Sequence, residues 1–167
     1  VVSTMKAATA ADHTISFVTP TGIVSATSET VVITFGPGFD LATNSVTTTD
    51  VEATATGGGV LAVTSVVGQA ITLTCTTDVP AAATVTVKVG LNATGGANQI
   101  INGAAGNNKT ISIGGTMADS GILATAWLTD DVVNVTATVD PTLEFAISDN
   151  TVGFGTLSTA AVRWADG

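Results

Sequence analysis

The chain contains few side chains that could perform covalent or acid–base chemistry. Among its 167 residues there is one histidine, His13, and one cysteine, Cys75. A single histidine excludes a histidine-rich metal site and argues against a Ser-His-Asp triad, and His13 stands at the head of a predicted strand. Cys75 has no basic or histidine neighbour, so we interpret it as a small buried hydrophobic residue, and one cysteine excludes an intramolecular disulfide. We therefore expect no enzyme activity and no catalytic residue.

The carboxylates are scattered and lack the spacing of a calcium-binding loop. Asp130 with Asp131, Asp50 with Glu52, and Asp149 could each lie at the end of a β-sandwich and hold Ca²⁺ together with loop carbonyls. Solvated turn carboxylates are the more common explanation of such a pattern. The glycine clusters lie in predicted turns and do not lead from a strand into a helix, as a phosphate-binding loop must. We therefore expect no metal and no cofactor.

Three positions match the acceptor pattern for N-glycosylation, namely Asn92, Asn108 and Asn134. A chain so rich in threonine and asparagine produces such matches easily by chance. The first two fall in predicted loops, and Asn134 falls on the outer face of a predicted strand. We treat all three as possible glycosylation sites.

The composition points to a secreted all-β protein. Threonine and valine are abundant, and both favour strands with an apolar inner face and a hydroxylated outer face. Four Lys and Arg residues against 13 Asp and Glu, a net charge of −9, cannot form a phosphate-binding patch, so nucleic acid is excluded as a partner. No apolar run approaches the ~18 residues of a membrane helix. The acidic, lysine-poor surface favours an extracellular or cell-surface location, and we expect any signal peptide to have been removed before Val1.

Alternating apolar and polar residues predict strands along most of the chain, and no helical period is present. The predicted strands cover residues 13–19, 30–35, 60–66, 70–76, 83–89, 109–113 and 121–128. Turn residues recur every ~8–12 positions, which is typical of an immunoglobulin-like antiparallel β-sandwich of seven to nine strands. We assign this sandwich to residues 1–139. The Gly- and Asn-rich segment 90–108 is predicted to be a long loop or a ragged sheet edge, exposed and mobile.

The longest alternating stretch spans residues 131–148. Most of its apolar side chains occupy odd positions: Val133, Val135, Ala137, Val139, Leu143, Phe145 and Ile147. The alternation continues through Asp140-Pro141, and Asp-Pro is a poor two-residue hairpin turn because proline fixes φ at a negative value. We therefore predict two strands in line. The first ends the sandwich, and the second opens a C-terminal β extension, residues 140–167.

The C-terminal extension is too short to close a core of its own, yet it is strongly apolar. Such a surface normally marks an interface. The predicted subunit-interface residues are Leu143, Phe145, Ile147, Val152, Phe154, Leu157 and Trp164.

Three parts of the sequence resemble a known group of proteins: residues 14–22, residues 33–41, and residues 133–147 followed by Val-Gly-Phe-Gly at 152–155. Their order is similar to that in secreted, immunoglobulin-like β-sandwich proteins of bacterial surfaces and filaments. The likeness covers most of the chain, and its motifs are structural. It implies a secreted surface protein with an immunoglobulin-like fold.

Two functions from different classes fit these observations. The first is a structural subunit of an extracellular, pilus-like filament or surface layer, a homopolymer that assembles head-to-tail by β-strand addition or donor-strand complementation. The alternative is an adhesin or glycan-binding module whose end loops contact a glycan. Sugar platforms use exposed aromatic residues, and this chain has no tyrosine and only two tryptophans, Trp127 and Trp164. The sequence therefore favours the structural subunit, with copies of itself as the partner.

Overall fold

We describe a computed structural model of the chain, which covers residues 1–130 and 136–137. Residues 1–132 make up one compact unit. In the described residues the strands are β1 (Ala10–Ala11), β2 (His13–Thr19), β3 (Thr30–Phe35), β4 (Phe39–Asp40), β5 (Val51–Ala55), β6 (Val60–Val67), β7 (Ala70–Thr77), β8 (Ala83–Val89), β9 (Ile100–Asn102), β10 (Gly106–Gly115) and β11 (Gly121–Trp127). Two single 3₁₀ turns, Thr48–Asp50 and Thr56–Gly58, flank β5.

The strands form three antiparallel sheets. A five-stranded sheet has the order β11-β10-β3-β7-β6, and a three-stranded sheet has the order β2-β8-β5. Buried side chains of both sheets, such as Ile33 and Leu73 from the first and Val85 and Val87 from the second, belong to one core. A small third sheet, β1-β9-β4, adds Phe39 to the same core. The protein is therefore all-β, and its architecture is consistent with a β-sandwich.

The two-residue period of the sequence explains the main strands. In β8, Val85, Val87 and Val89 are fully buried, and Lys88 between them points outward to Glu52, with Nζ and Oε2 3.5 Å apart. The strands predicted over 13–19, 30–35 and 83–89 are confirmed with the same bounds. The hairpin predicted from 60–66 and 70–76 is confirmed as β6 and β7, whose turn uses a positive φ of 59° at Gly68.

The prediction of an exposed loop over residues 90–108 is wrong for its central part. Ile100 and Asn102 are fully buried, and β9 pairs with both β1 and β4. The carboxylate of Asp50 anchors the preceding residues, because Oδ1 accepts the backbone N–H groups of Ala97 and Asn98 at 2.8 and 2.9 Å. The glycine and asparagine content suggested a loop, but distant carboxylates satisfy its amides and allow it to pack.

The predicted C-terminal extension and all seven predicted interface residues lie outside the described residues, as does the predicted domain boundary at residue 139. Two residues of the predicted strand 131–139 are described. Thr136 and Ala137 are exposed and carry no strand hydrogen-bond pattern. The prediction therefore differs from the structure at these two positions, since alternation alone does not supply a neighbouring strand to pair with.

In the ranges that the structure describes, no helix has the length and apolar character required to cross a membrane.

Candidate functional site

The larger main sheet has five strands and the smaller has three. The two additional strands extend beyond the smaller sheet on one side of the protein. On the other side, the edge strands β5 and β6 are joined by the single 3₁₀ turn Thr56–Gly58 and lie against each other. The remaining edges are β2 in the smaller sheet and β11 in the larger one. The larger sheet therefore extends beyond the smaller one at β10 and β11.

The exposed fractions of one row of side chains show where the smaller sheet stops covering the larger sheet. Phe35, Ile111 and Leu123 pair directly across β3, β10 and β11, so all three face the same side of the sheet. Their exposed fractions are 1%, 6% and 39%. An inward-facing leucine on β11 is thus partly exposed because no strand of the smaller sheet lies opposite it.

The gap between β2 and the overhanging strands contains two cavities, which we call together the open groove. The first has a volume of about 340 Å³ and is lined by Val1, Val2, Met5, His13, Thr14, Ile15, Lys109, Ile111, Leu123, Ala124 and Thr125. The second has a volume of about 240 Å³ and is lined by Phe17, Val18, Pro20, Ile113, Met117, Asp119, Ser120 and Gly121. Most of these side chains are apolar, and together they follow β2 from its first residue to its last.

The backbone of β2 is only partly paired on the groove side. Residue Thr14 donates its N–H to the carbonyl of Val1 at 2.8 Å, and the carbonyl of Asp12 accepts the N–H of Ser3 at 3.0 Å. Even-numbered residues of β2 therefore direct their backbone groups away from β8. Among the described residues, Ser16 and Val18 have no backbone partner on that side. Within the part of the chain that the structure describes, residues 15–19 thus form an unpaired edge beside the groove.

The second edge of the groove, β11, is also open. The backbone of Leu128 pairs with Met5 and Ala7 of the N-terminal segment, at 2.8 Å in both hydrogen bonds. Along Gly121–Trp127, the described part of the chain supplies partners only from β10. Ile122, on the outer face of this strand, is 75% exposed.

One end of the open groove is closed by an aromatic cluster around His13. The imidazole ring makes edge-to-face contacts with Phe35, Phe39 and Trp127, with ring centroids 6.2, 5.7 and 6.0 Å away. The indole Nε1 of Trp127 donates a hydrogen bond of 2.6 Å to the carbonyl of Gly38. The ring of His13 is therefore packed among three aromatic side chains at this end of the groove.

The environment of His13 keeps its ring neutral at physiological pH. Burial, followed by the charge of the N-terminal ammonium group, lowers the pKa of His13 to about 4, and Asn102 and Asp12 only partly oppose these effects. Neither ring nitrogen makes a hydrogen bond of good geometry with a described residue. His13 is therefore a buried, neutral ring.

Cys75, Asp50 and Glu52 have structural roles. Cys75 is 3% exposed on β7, as predicted, and burial raises the pKa of its thiol. Burial alone would raise the pKa of Asp50, but hydrogen bonds from Ala97, Thr47 and Asn98 outweigh this effect and lower it. Glu52 accepts hydrogen bonds from the backbone N–H and the hydroxyl of Thr94. In the described residues no three His, Cys, Asp or Glu side chains lie close enough to hold a metal ion.

The possible glycosylation sites differ in access. Asn108 is exposed, at a backbone φ of 56°, but it lies in β10 and not in a loop as predicted. The side-chain nitrogen of Asn92 donates to the hydroxyl of Thr14 at 2.9 Å, so a glycan there would break a contact with β2. Asn134 lies outside the described residues.

No protein-family model, curated protein sequence or solved structure matches this chain. We therefore describe the class of protein from its fold and the open groove alone: it is an all-β protein with one closed side and one open side. On the open side an apolar groove runs along an unpaired strand edge.

Proposed function

We propose that the protein is a non-enzymatic structural subunit of an extracellular filament or surface layer, built on an immunoglobulin-like β-sandwich. Subunits assemble head-to-tail when an extended strand adds to the edge of β2 and places its side chains in the open groove. The observation that carries this proposal is the combination of the unpaired edge at residues 15–19 with an apolar groove beside it. The resemblance to secreted surface proteins of bacteria supports the same assignment.

Strand addition requires both features of this site. Main-chain hydrogen bonds to Ser16 and Val18 would supply affinity, and alternate side chains entering the groove would supply specificity. An added strand would also cover Leu123, which faces the core but is 39% exposed. The groove therefore offers an incoming strand both hydrogen bonds and apolar burial.

The edge of β2 lacks lysine, proline and bulges, three of the features that normally prevent sheets from joining, although the charged residues Lys109 and Asp119 line the two cavities. Proteins protect edge strands with lysine, proline, bulges or inward-pointing charges. Strand β2, His-Thr-Ile-Ser-Phe-Val-Thr, has no lysine and no proline, and its pairing with β8 is regular from His13 to Thr19. Val18 on this edge is 55% exposed. Such an edge is a favourable site for pairing with another strand.

The donor strand and the acceptor groove are different surfaces of the subunit. A contact between different surfaces does not close on itself unless the rotation between subunits forms a ring. It therefore propagates along a filament or across a layer.

The adhesin or glycan-binding alternative gains no aromatic platform from the described residues. Trp127 is 1% exposed and packs in the cluster around His13, so it cannot stack on a sugar ring. Segment 90–108, the expected contact loop, has buried residues and carboxylate anchors.

Proline at Ser16 provides the test. The N–H of this residue points away from β8, so Ser16→Pro removes a hydrogen-bond donor from the open edge without removing one from the sheet. We expect Ser16→Pro to keep its far-UV β spectrum and to lose the fibres or layers that the unmodified chain forms in negative-stain electron microscopy. Ser16→Ala retains the N–H and is the matched control, which we expect to assemble normally. Normal assembly of Ser16→Pro would contradict the proposal, as would an unmodified chain that stays monomeric at high concentration.

A further inference from the structure

We propose that the strand added to β2 is residues 143–147 of a second copy of the chain, running antiparallel to β2 beside residues 15–19. This inference rests on the proposed function and identifies both halves of its contact. In this arrangement Leu143, Phe145 and Ile147 enter the open groove.

The lengths of the two strands agree. The N-terminal segment pairs with Asp12 and Thr14 and reaches no further along β2. Residues 15–19 are left as the unpaired edge, which is five residues long. The alternating segment after Pro141 runs from Leu143 to Ile147 and has the same length. A strand of this length fills the edge without displacing Val1.

The faces of the two strands also agree. Ile15, Phe17 and Thr19 turn inward on β2, and residues directly opposite each other in a sheet share a face. Antiparallel pairing of residues 143–147 with residues 19–15 places all three large apolar side chains of the donor inward. They would meet Ile111 and Leu123 in one cavity and Ile113 and Met117 in the other.

The outward positions of the donor are compatible with solvent. Glu144 would lie opposite Val18, which is 55% exposed, and Ala146 would lie opposite Ser16, which is also exposed. A charged side chain on this face remains hydrated. The antiparallel direction is the one that Val1–Ser3 already takes beside β2.

The preceding alternating segment, residues 133–139, fits the groove less well. Its odd positions carry only valine and alanine, whose side chains are smaller than leucine, phenylalanine and isoleucine. The segment that follows Pro141 has the larger side chains and is the one we assign to the groove.

Engineered cysteines test the pairing and its direction. In a Cys75→Ala background, one protein carries Val18→Cys and a second carries Glu144→Cys, and the two are mixed before oxidation. Opposite residues of a hydrogen-bonded antiparallel pair have Cα atoms about 5.5 Å apart, within the range that a disulfide spans. Because each chain has one cysteine, the disulfide between the two proteins can form only between copies. We expect a covalent dimer of the two proteins on a non-reducing gel and its absence when Val67→Cys replaces Val18→Cys.

Each other outcome overturns a stated part of the inference. A cross-link of Val18→Cys with Ala146→Cys, in place of Glu144→Cys, means that the donor is parallel. An intrachain disulfide in a chain carrying both Val18→Cys and Glu144→Cys means that the strand is supplied by the same copy. Polymers that form without any of these cross-links overturn the assignment of residues 143–147 and leave the proposed function standing. If neither polymers nor cross-links form, the proposed function itself fails.

Discussion

At the scale of single residues, the described side chains whose functional groups could take part in chemistry lie in the core or hold its connecting segments. His13 is the clearest case. The sequence placed it at the head of a strand, and in the structure it lies on the same face of β2 as Ile15 and Phe17 and is 1% exposed. The aromatic partners on β3, β4 and β11 could not be inferred, because they come from distant parts of the chain.

The lowered pKa of His13 predicts a pH dependence of stability. In the unfolded chain the ring titrates near its ordinary pKa of 6.5, and in the folded protein near 4. The unfolded state therefore binds more protons between these values, and the free energy of unfolding falls as the pH falls from 7 to 4, by about 3 kcal/mol. Above pH 6.5 this contribution to stability is fully present. Urea unfolding at a series of pH values measures it.

A His13→Phe variant is the control for this prediction, because it keeps an aromatic ring and removes the titration. The quantity compared between the two proteins is the slope of the unfolding free energy against pH, so a difference in their absolute stability does not affect the test. We expect the slope between pH 6.5 and 4 to be much smaller in the variant. Equal slopes in the two proteins would show that another group causes the dependence.

At the scale of elements, the sequence predicted the strands in which apolar and polar residues alternate. It missed β9, whose preceding segment is held by carboxylates from distant parts of the chain. The main strands were predicted because one face of each is buried against the core. Strand β9 was not, because the segment before it is held by the carboxylates of Asp12, Asp50 and Glu52, which accept backbone N–H groups between residues 91 and 98. Such contacts leave no periodic signal in the segment that they hold.

Asp50→Asn tests this anchoring. The carboxylate is 1% exposed and accepts hydrogen bonds from Thr47, Ala97 and Asn98, so an amide NH₂ placed there would face N–H donors. We expect a loss of about 2–3 kcal/mol in unfolding free energy, together with faster hydrogen exchange in residues 91–102. Asp40→Asn is the comparison, because Asp40 holds only the local turn at Ala42 and Thr43. Unchanged exchange in Asp50→Asn would contradict the anchoring role.

At the scale of the whole molecule, the described sheets form a core that is closed on the β5–β6 side and open on the β2–β11 side. The sequence indicated an all-β fold and an apolar C-terminal segment in need of a partner. It could not indicate the open groove, because the groove arises from a mismatch of two strands between sheets whose order is set by long-range pairing. The acceptor of the proposed contact is thus a feature of the described structure, and the apolar donor segment is a feature of the sequence.

Removing the donor should separate folding from assembly. The described strands, β1 to β11, all lie before residue 142, so deletion of residues 142–167 leaves them intact, and we expect a folded monomer with a far-UV β spectrum that forms no polymer. A peptide of residues 142–148 should then bind the open groove, since burial of an apolar side chain contributes about 1.5–3 kcal/mol and the peptide brings three. At 100 times its dissociation constant the peptide should raise the free energy of unfolding by about 2.7 kcal/mol. The same peptide with Phe145→Asp places a charge in the groove and should have little effect. If the truncated chain is instead unfolded, residues 142–167 complete the sandwich of their own chain, and the open groove is not an acceptor for a second copy.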